Sequence, residues 1–475
     1  MSFVRVMTLL FLLGLWPAAV AGLTVHEIEL KNGIRVLLVE RPGAPLVAAG
    51  WSARVGSGDE TPGATGISHL LEHMMFRGTR TIGTKDGALE LELMQRLEAP
   101  AKPGRKAQRR RQELQDELRA LRIPGESALI YNRAGALGID ALTHRDFTLY
   151  DLRIPASQIE VWFWMESDRL AAPVFRELGN EAEVVLQEER QRTATEVAQI
   201  RGRFEAAYWQ HLYGADHPYS WSTGGRASDV LSLGRVELRE HFDEYYRGSD
   251  LTMVLVGDLE VEALRALAKK YFERLPPGVP HETSSRAPAE KVETLEFSEP
   301  CFCADQVELR FATVPFSHED RVVLDVVAAL FNGRTGRLAP LVDAGATSAS
   351  ARHNALRQAG SFSLFAASDG GLTLEELDAR LRRELTELAE APVGEDELDA
   401  VRNQLAASAW RQLRSPSALA RRLLVYDALG AWTFVRDDPE RMREVSAEDV
   451  QRVARRFLAS DPAARAVIRH VEGGR

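Results

Sequence analysis

The sequence predicts an α+β protein assembled from two copies of one domain, and three observations lead there. At 475 residues the chain is too long for a single ordinary core. Pro276-Pro277-Gly278 through Ala287-Pro288 has the composition of a linker. The order of elements also repeats on either side of it. A helix reaches Phe242, and Ser249-Asp250 then leads into a strand closed by Gly257; a helix reaches Phe457, and Ser460-Asp461 leads into a strand running to Val471 and Gly473. Gly179 to Glu189 has a counterpart in Gly394 to Gln404. Domains are therefore expected over 22–277 and 292–475, joined by a linker over 278–291.

The first residues read as an export signal. Arg5 gives a positive start, Val6 to Trp16 an apolar run, and Ala19-Val20-Ala21 a small-residue cleavage site, so residues 1–21 are expected to be removed. The run is shorter than the roughly 20 residues that cross a bilayer, and no later segment supplies them. An exported protein without a membrane span, in a bacterial periplasm, is the expectation. The formal net charge of -10 argues against a nucleic-acid partner, which normally meets a basic face.

From there the elements follow in order. Val25 to Leu30 and Ile34 to Glu40 alternate around Lys31-Asn32-Gly33, the pattern of a hairpin. Leu46 to Arg54 is a strand closed by Gly56-Ser57-Gly58, and a helix is predicted from about Gly66 to Phe76. Lys102 to Leu121 is basic and helical in pattern, part of an insertion at about 84–127; its basic run, Arg105-Lys106 with Arg109 to Arg111, is read as the solvated face of an inserted helix in preference to a binding patch. A strand at Thr148 to Ile154 precedes helices over Gln158 to Leu170 and Gly179 to about Leu212. Leu251 to Val256 is a strand, followed by a helix ending near Leu275. Cys301 and Cys303, the two cysteines of the chain, fall on one face of a predicted strand, where a bond between them would be strained. Two reduced, packed thiols are expected.

The chemistry concentrates in His69-Leu70-Leu71-Glu72-His73. At about 100° per residue the two His differ by about 40° and leave one helix face a turn apart, the reach needed to chelate one zinc ion. Glu72 lies between them on the wheel, near the metal. Among 11 His this is the one pair four apart. A hydrolytic site needs a third protein ligand and an open position for water. Glu181-Ala182-Glu183-Val184-Val185-Leu186-Gln187-Glu188-Glu189 is an acidic helix that could supply it, with Glu181 and Glu188 on one face two turns apart. Spacing does not choose between Glu188 and Glu189, nor exclude a solvated acidic helix.

Val55-Gly56-Ser57-Gly58-Asp59-Glu60, followed by Gly66-Ile67-Ser68-His69-Leu70-Leu71-Glu72-His73-Met74-Met75-Phe76-Arg77-Gly78-Thr79, resembles the active-site signature of the pitrilysin/insulinase family of zinc metallopeptidases, the inverzincins, in its half-length, processing-peptidase-like branch. The resemblance implies two α/β-roll domains, each an antiparallel-rich sheet packed with helices, arranged as half a clamshell. It implies one zinc ion per chain on His69, His73 and Glu188, with Glu72 as catalytic base. The family pattern E-x-x-V-x-x-x-E falls on Glu181, Val184 and Glu188, which makes Glu181 the supporting partner of a metal-bound His. It implies endopeptidase action on peptides or unfolded segments bound as an extended strand.

Three departures from the family pattern stand out. Asp140-Ala141-Leu142-Thr143 replaces the usual Asn-Ala-Phe-Thr of a strand that contacts the substrate backbone, so Asp140, Ala141 and Thr143 are the expected substrate-binding positions, and an ionised Asp accepts hydrogen bonds without donating them. The family's second half supplies an Arg and a Tyr seven apart; after residue 300 this chain has one Tyr, Tyr426, and Leu419 stands seven before it. A zinc-free homologous subunit supplying Arg and Tyr, or a homodimer, is the expected partner. Gln404 stands where Glu188 would sit and Asp320 to Phe331 has no His, so the second domain is expected to be a non-catalytic copy. The competing expectation is a binding or assembly subunit of the same fold without catalysis.

Overall fold

The computed structural model describes residues 23–99, 102, 104–278 and 293–471. The expected signal peptide, and the expected linker apart from Gly278, lie outside the described residues.

Two sheets form the frame. The first contains β1 (His26–Glu29), β2 (Arg35–Glu40), β3 (Leu46–Ala53), β4 (Leu137–Thr143), β5 (Thr148–Pro155) and β6 (Leu251–Gly257), in the order β1-β2-β6-β3-β5-β4. The second contains β7 (Leu295–Cys301), β8 (Asp305–Thr313), β9 (Ser348–Ala355), β10 (Gly360–Ser368) and β11 (Ala464–His470), in the order β7-β11-β8-β10-β9. Each ladder is antiparallel except β2 with β6 and β7 with β11, which are parallel. With the added edge strand β1 left out, the single parallel pair occupies the same place in both sheets, so the repeat of element order in the sequence corresponds to a repeat of topology. β4 ends the first sheet, and among the described residues no strand pairs with its outer edge.

Each sheet buries one face on helices of its own half. In the first, Trp51, Leu70, Leu71, Met74, Phe163 and Phe272 share a core; in the second, Val307, Phe331, Phe362, Leu377 and Val453 do. The opposite faces are covered by helices exchanged between the halves. Leu419, Leu423 and Leu424 of helix Pro416–Leu429 pack on Leu37, Val39, Ala48 and Val254 of the first sheet. Tyr208 and Trp209 of helix Glu196–Tyr213 pack with Leu356, Ala464 and Ala466 of the second. Polar anchors accompany the exchange. The buried Asp427 accepts from Arg35 Nη2 at 2.6 Å and Thr252 Oγ1 at 2.6 Å, and Tyr208 Oη donates to Phe311 O at 3.2 Å. Satisfying these groups matters because an unpaired buried carboxylate is costly.

Two expectations are corrected. The single helix predicted from Gly179 to Leu212 is two, Leu178–Arg192 and Glu196–Tyr213. The break falls at Thr193-Ala194-Thr195, where Thr195 turns extended and its hydroxyl accepts from Ala198 N at 3.2 Å, capping the second helix. Cys301 and Cys303 are joined in a disulfide rather than reduced. β7 ends at Cys301 and the chain bends at Phe302, bringing the two Cα atoms to 5.2 Å. A strand would hold them about 6.6 Å apart on one face, so the strain argument applied to a geometry the chain does not adopt.

The insertion forms helices Gly87–Glu98 and Arg105–Leu121, whose Leu93, Met94, Leu114 and Leu118 bury against Val174.

Candidate active site

The central helix runs Ile67–Met74. Leu70, Leu71 and Met74 enter the first core, which leaves His69, Glu72 and His73 on the remaining face. Its start is held by Glu60, whose carboxylate accepts from Gly66 N at 2.8 Å, Ser68 N at 3.0 Å and Trp221 Nε1 at 3.1 Å. An acceptor there satisfies the free N–H groups of the first turn, and burial pushes the Glu60 pKa up to about 8 although these hydrogen bonds favour the carboxylate. Gly66 has φ 86°, and a Cβ on it would meet Val230 at 2.7 Å, so the entry to the helix requires glycine.

Helix Leu178–Arg192 packs beside it, burying Ala182, Val185 and Leu186. Glu188 Oε2 then lies 3.6 Å from both His69 Nε2 and His73 Nε2. The donor atoms of these three side chains lie within 4.8 Å of one another, the one such grouping of His, Cys, Asp and Glu among the described residues. Zinc bonds of about 2.0–2.1 Å in a tetrahedron separate neighbouring ligand atoms by about 3.3–3.4 Å, so the grouping fits one zinc ion with little adjustment. Glu189, the other carboxylate that spacing allowed, turns away: it accepts from Ser222 Oγ at 3.0 Å and Arg192 Nη1 at 2.8 Å.

The surroundings act differently on the two imidazoles. Burial, reinforced by the charges of His73 and Arg192, lowers His69 to about 3, which keeps it neutral, as a ligand must be. Its Nδ1 is buried without a partner among the described residues. His73 Nδ1 faces Glu181 Oε1 at 3.1 Å, which fixes the tautomer that leaves Nε2 toward Glu188. Burial works against an imidazolium at His73, but Glu181, Glu188 and Glu72 outweigh it and raise its pKa. Arg77 binds the second oxygen of Glu181. Against its burial, the hydrogen bond from His73 and the charge of Arg77 hold Glu181 below the usual carboxylate range.

Glu72 is buried beside the ligands, and burial raises its pKa against the opposing hydrogen bond from Thr143. That bond, Thr143 Oγ1 to Glu72 Oε2 at 2.5 Å, joins the central helix to β4. Ile139, Asp140, Ala141, Leu142 and Thr143 line one side of a cavity of about 490 Å³ with His69, Glu72, His73, Glu181 and Glu188 on the other. All of the site residues expected from sequence therefore meet in one cavity. Thr143 adds a feature that was not anticipated, since its hydroxyl is occupied by Glu72.

Three further residues were missed. Glu60 sits in the Gly-Ser-Gly-Asp-Glu turn, where an acid just ahead of a helix is a recognisable start signal. Arg192 is four residues beyond Glu188, and helical spacing alone brings it to the cavity, which it lines with Thr223. Arg421, from the exchanged helix, donates to Asp140 Oδ2 at 2.6 Å and to Asp151 through two bonds of 3.0 Å; no local signal predicts a pairing across 281 residues. Tyr426 is turned away, packed on Phe316 with its hydroxyl accepting from Arg422 Nη2 at 2.8 Å.

Comparison with known proteins gives a consistent picture. Residues 35–95 match the family model described as insulinase (peptidase family M16), and residues 232–405 match the one described as the peptidase M16 inactive domain. The chain is 24% identical over 464 residues to the zinc protease PqqE of Helicobacter pylori, covering 95% of this chain and 94% of that one. It superposes on the crystal structure of a protease from Helicobacter pylori with a TM-score of 0.75 at 22% identity, covering 94% and 99% of the two chains. Against the periplasmic protease PqqL from Escherichia coli the TM-score is 0.70 at 17% identity, covering 94% of this chain and 47% of that one.

Proposed function

We propose, from the match of residues 35–95 and 232–405 to models of the insulinase (peptidase M16) family, that the chain is a zinc-dependent endopeptidase acting on peptides or unfolded segments. The observation that carries this reading is the convergence of His69, His73 and Glu188 at ligand spacing, with Glu72 beside them and the free edge of β4 opposite.

His69, His73 and Glu188 would hold the metal. A zinc ion held there supplies Lewis acidity and makes a water in the open position acidic near neutral pH. The chain's own groups do the rest. Glu72 accepts a proton from the attacking water and returns it to the leaving amine. Thr143 keeps the Glu72 carboxylate from rotating, since one oxygen is held by its hydroxyl. Glu181 orients His73, and Arg77 orients Glu181. The peptide backbone adds to the unpaired edge of β4 as an extra strand, which favours unfolded over folded substrates. Arg192 is the cationic donor that this chain offers to charge developing on the scissile carbonyl oxygen.

The chain corresponds to 47% of the Escherichia coli protein, about half. A second, zinc-free homologous subunit, or a second copy of this chain, is proposed to complete the clamshell and add the Arg and Tyr. Among the described residues no helix is long and apolar enough to cross a membrane. Export to a bacterial periplasm is proposed from the N-terminal pattern and is supported by the periplasmic setting of that neighbour.

A second reading, a non-catalytic assembly subunit, is favoured by the absence of Tyr from the described cavity lining. Purified mature chain decides between them. One zinc per chain with cleavage of a quenched-fluorescent peptide library, abolished by Glu72→Gln, is the expected result. One zinc without cleavage, alone and with candidate partners, would leave the assembly reading in its place.

A further inference from the structure

The cavity at His69, His73 and Glu188 is the first of three neighbouring cavities that share walls. Phe76, Arg77 and Ile139 are shared between it and a second cavity of about 350 Å³. Arg122, Arg176 and Glu177 are shared between that one and a groove of about 1500 Å³ along the inserted helices. The three therefore adjoin in order from the reacting centre to the inserted helix Arg105–Leu121.

The walls of the outer groove are basic. Arg105, Lys106, Arg109, Arg110 and Arg111 open the helix, with no acid in its first turn; of these Lys106, Arg110 and Arg111 line the groove, and Arg110 is paired with Glu113. Cations at a helix N-terminus oppose the dipole and repel one another, so this arrangement costs stability rather than adding to it. Each carboxylate lining the groove is already engaged: Glu90 by Arg176, Glu98 by Arg235 and Glu177 by Arg122. Lys106 and Arg111 line it too, and neither has a carboxylate within ion-pair distance among the described residues. In a chain of net charge -10 this is a local reversal of sign.

Building on the peptidase reading, we infer that the insertion is an exosite for an acidic tract of the substrate, several residues away from the bond that is cut. Charge complementarity selects the occupant, and the shared walls connect it to the site. The helix of 17 residues is about 25 Å long, a length covered by about seven or eight residues of extended peptide. Acidic substrates are thus recognised by the position of their charges relative to the scissile bond, and salt weakens the preference.

The test uses the full mature chain with zinc and one cleavable core peptide. The core is extended at either end, through spacers of increasing length, by four Glu or by four Gln. The expected result is a KM about tenfold lower for the Glu extension at one end, at one range of spacers and with kcat unchanged. In K106E/R111E that difference disappears or inverts; K106Q/R111Q diminishes it, and zinc content with the melting temperature shows that both variants are folded. Equal KM for Glu and Gln at every spacer, or a Glu preference that survives charge reversal in a folded variant, overturns the exosite. Should the chain alone cut no peptide, that result bears on the peptidase reading and its need for a partner, not on the exosite. Fluorescence anisotropy of the labelled Glu-extended peptide then reads the exosite directly, with binding lost in K106E/R111E supporting it and no binding to the parent chain overturning it.

Discussion

Thr143 Oγ1 donates to Glu72 Oε2 at 2.5 Å, so the strand that would receive the substrate also holds the group that would activate the water. Under the proposed function, substrate docking on β4 and alignment of Glu72 would be coupled through this bond. T143V removes the hydroxyl at nearly constant volume. We expect kcat to fall about tenfold, the worth of a hydrogen bond to a charged group, with KM and zinc content little changed. T143S restores most of the loss. Steady-state kinetics on one peptide, beside metal analysis, check this.

Under the proposed function, Glu181 would act on the metal site through His73. E181A leaves His73 Nδ1 without its acceptor and frees Arg77. Zinc affinity is expected to drop by about 10–100-fold, the usual loss when the partner of a ligating His is removed. Competition with a chromophoric chelator measures it. An unchanged affinity would show that Glu181 does not orient His73.

How far the site was legible follows from the range of each contact. His69, Glu72 and His73 lie within one turn and a half of one helix, so their convergence is set by helical geometry alone. Glu188 lies on a separate helix and is not distinguished from Glu189 by local periodicity; resemblance singled it out, and the structure turns Glu189 toward Ser222 instead. Thr143 was legible as a position and not as a hydrogen bond, because its partner is 71 residues away. The exchange of helices Glu196–Tyr213 and Pro416–Leu429 left no local trace, since their apolar faces read the same whichever sheet they cover. The Cys301–Cys303 bond was misjudged because the strand stops at the first of the two residues.

The exchange makes pH a probe of how the halves hold together. Glu205, on the helix that crosses to the second sheet, pairs with Arg310 of β8 and at 3.4 Å with Arg145. Although burial opposes it, the charges of Arg310 and Arg145 hold Glu205 below its ordinary value of 4.5. A depressed folded pKa contributes stability above the unfolded value, and that stability is lost as pH falls through the folded one. Melting temperature should therefore decline below about pH 4.5, and E205Q should both lower it at neutral pH and flatten its acid limb. A parallel decline in both proteins would remove Glu205 from the acid transition.

Glu60 offers a stability test away from the chemistry. E60Q places an amide NH₂ against N–H donors from Gly66, Ser68 or Trp221. The expected cost is about 1–3 kcal/mol, that of a buried donor without an acceptor. Urea unfolding followed by Trp fluorescence checks it. A cost near zero would mean that the first turn of the central helix is held by packing of Ile67 and Leu70 alone.

Arg192 separates two accounts of how a chain lacking the family's Arg and Tyr pair could turn over. Its guanidinium lines the cavity one turn beyond Glu188, half-exposed and hydrogen-bonded to Glu189. A donor aimed at an oxyanion acts in the transition state and leaves ground-state binding alone. R192A should then lower kcat by about a hundredfold, within the range for loss of one such donor, at unchanged KM and zinc content, and R192K should recover part of it. A raised KM at constant kcat would instead make Arg192 a binding group for the peptide backbone. The completing charge would then have to come from another subunit, and mixing the chain with candidate partners would be the way to find it.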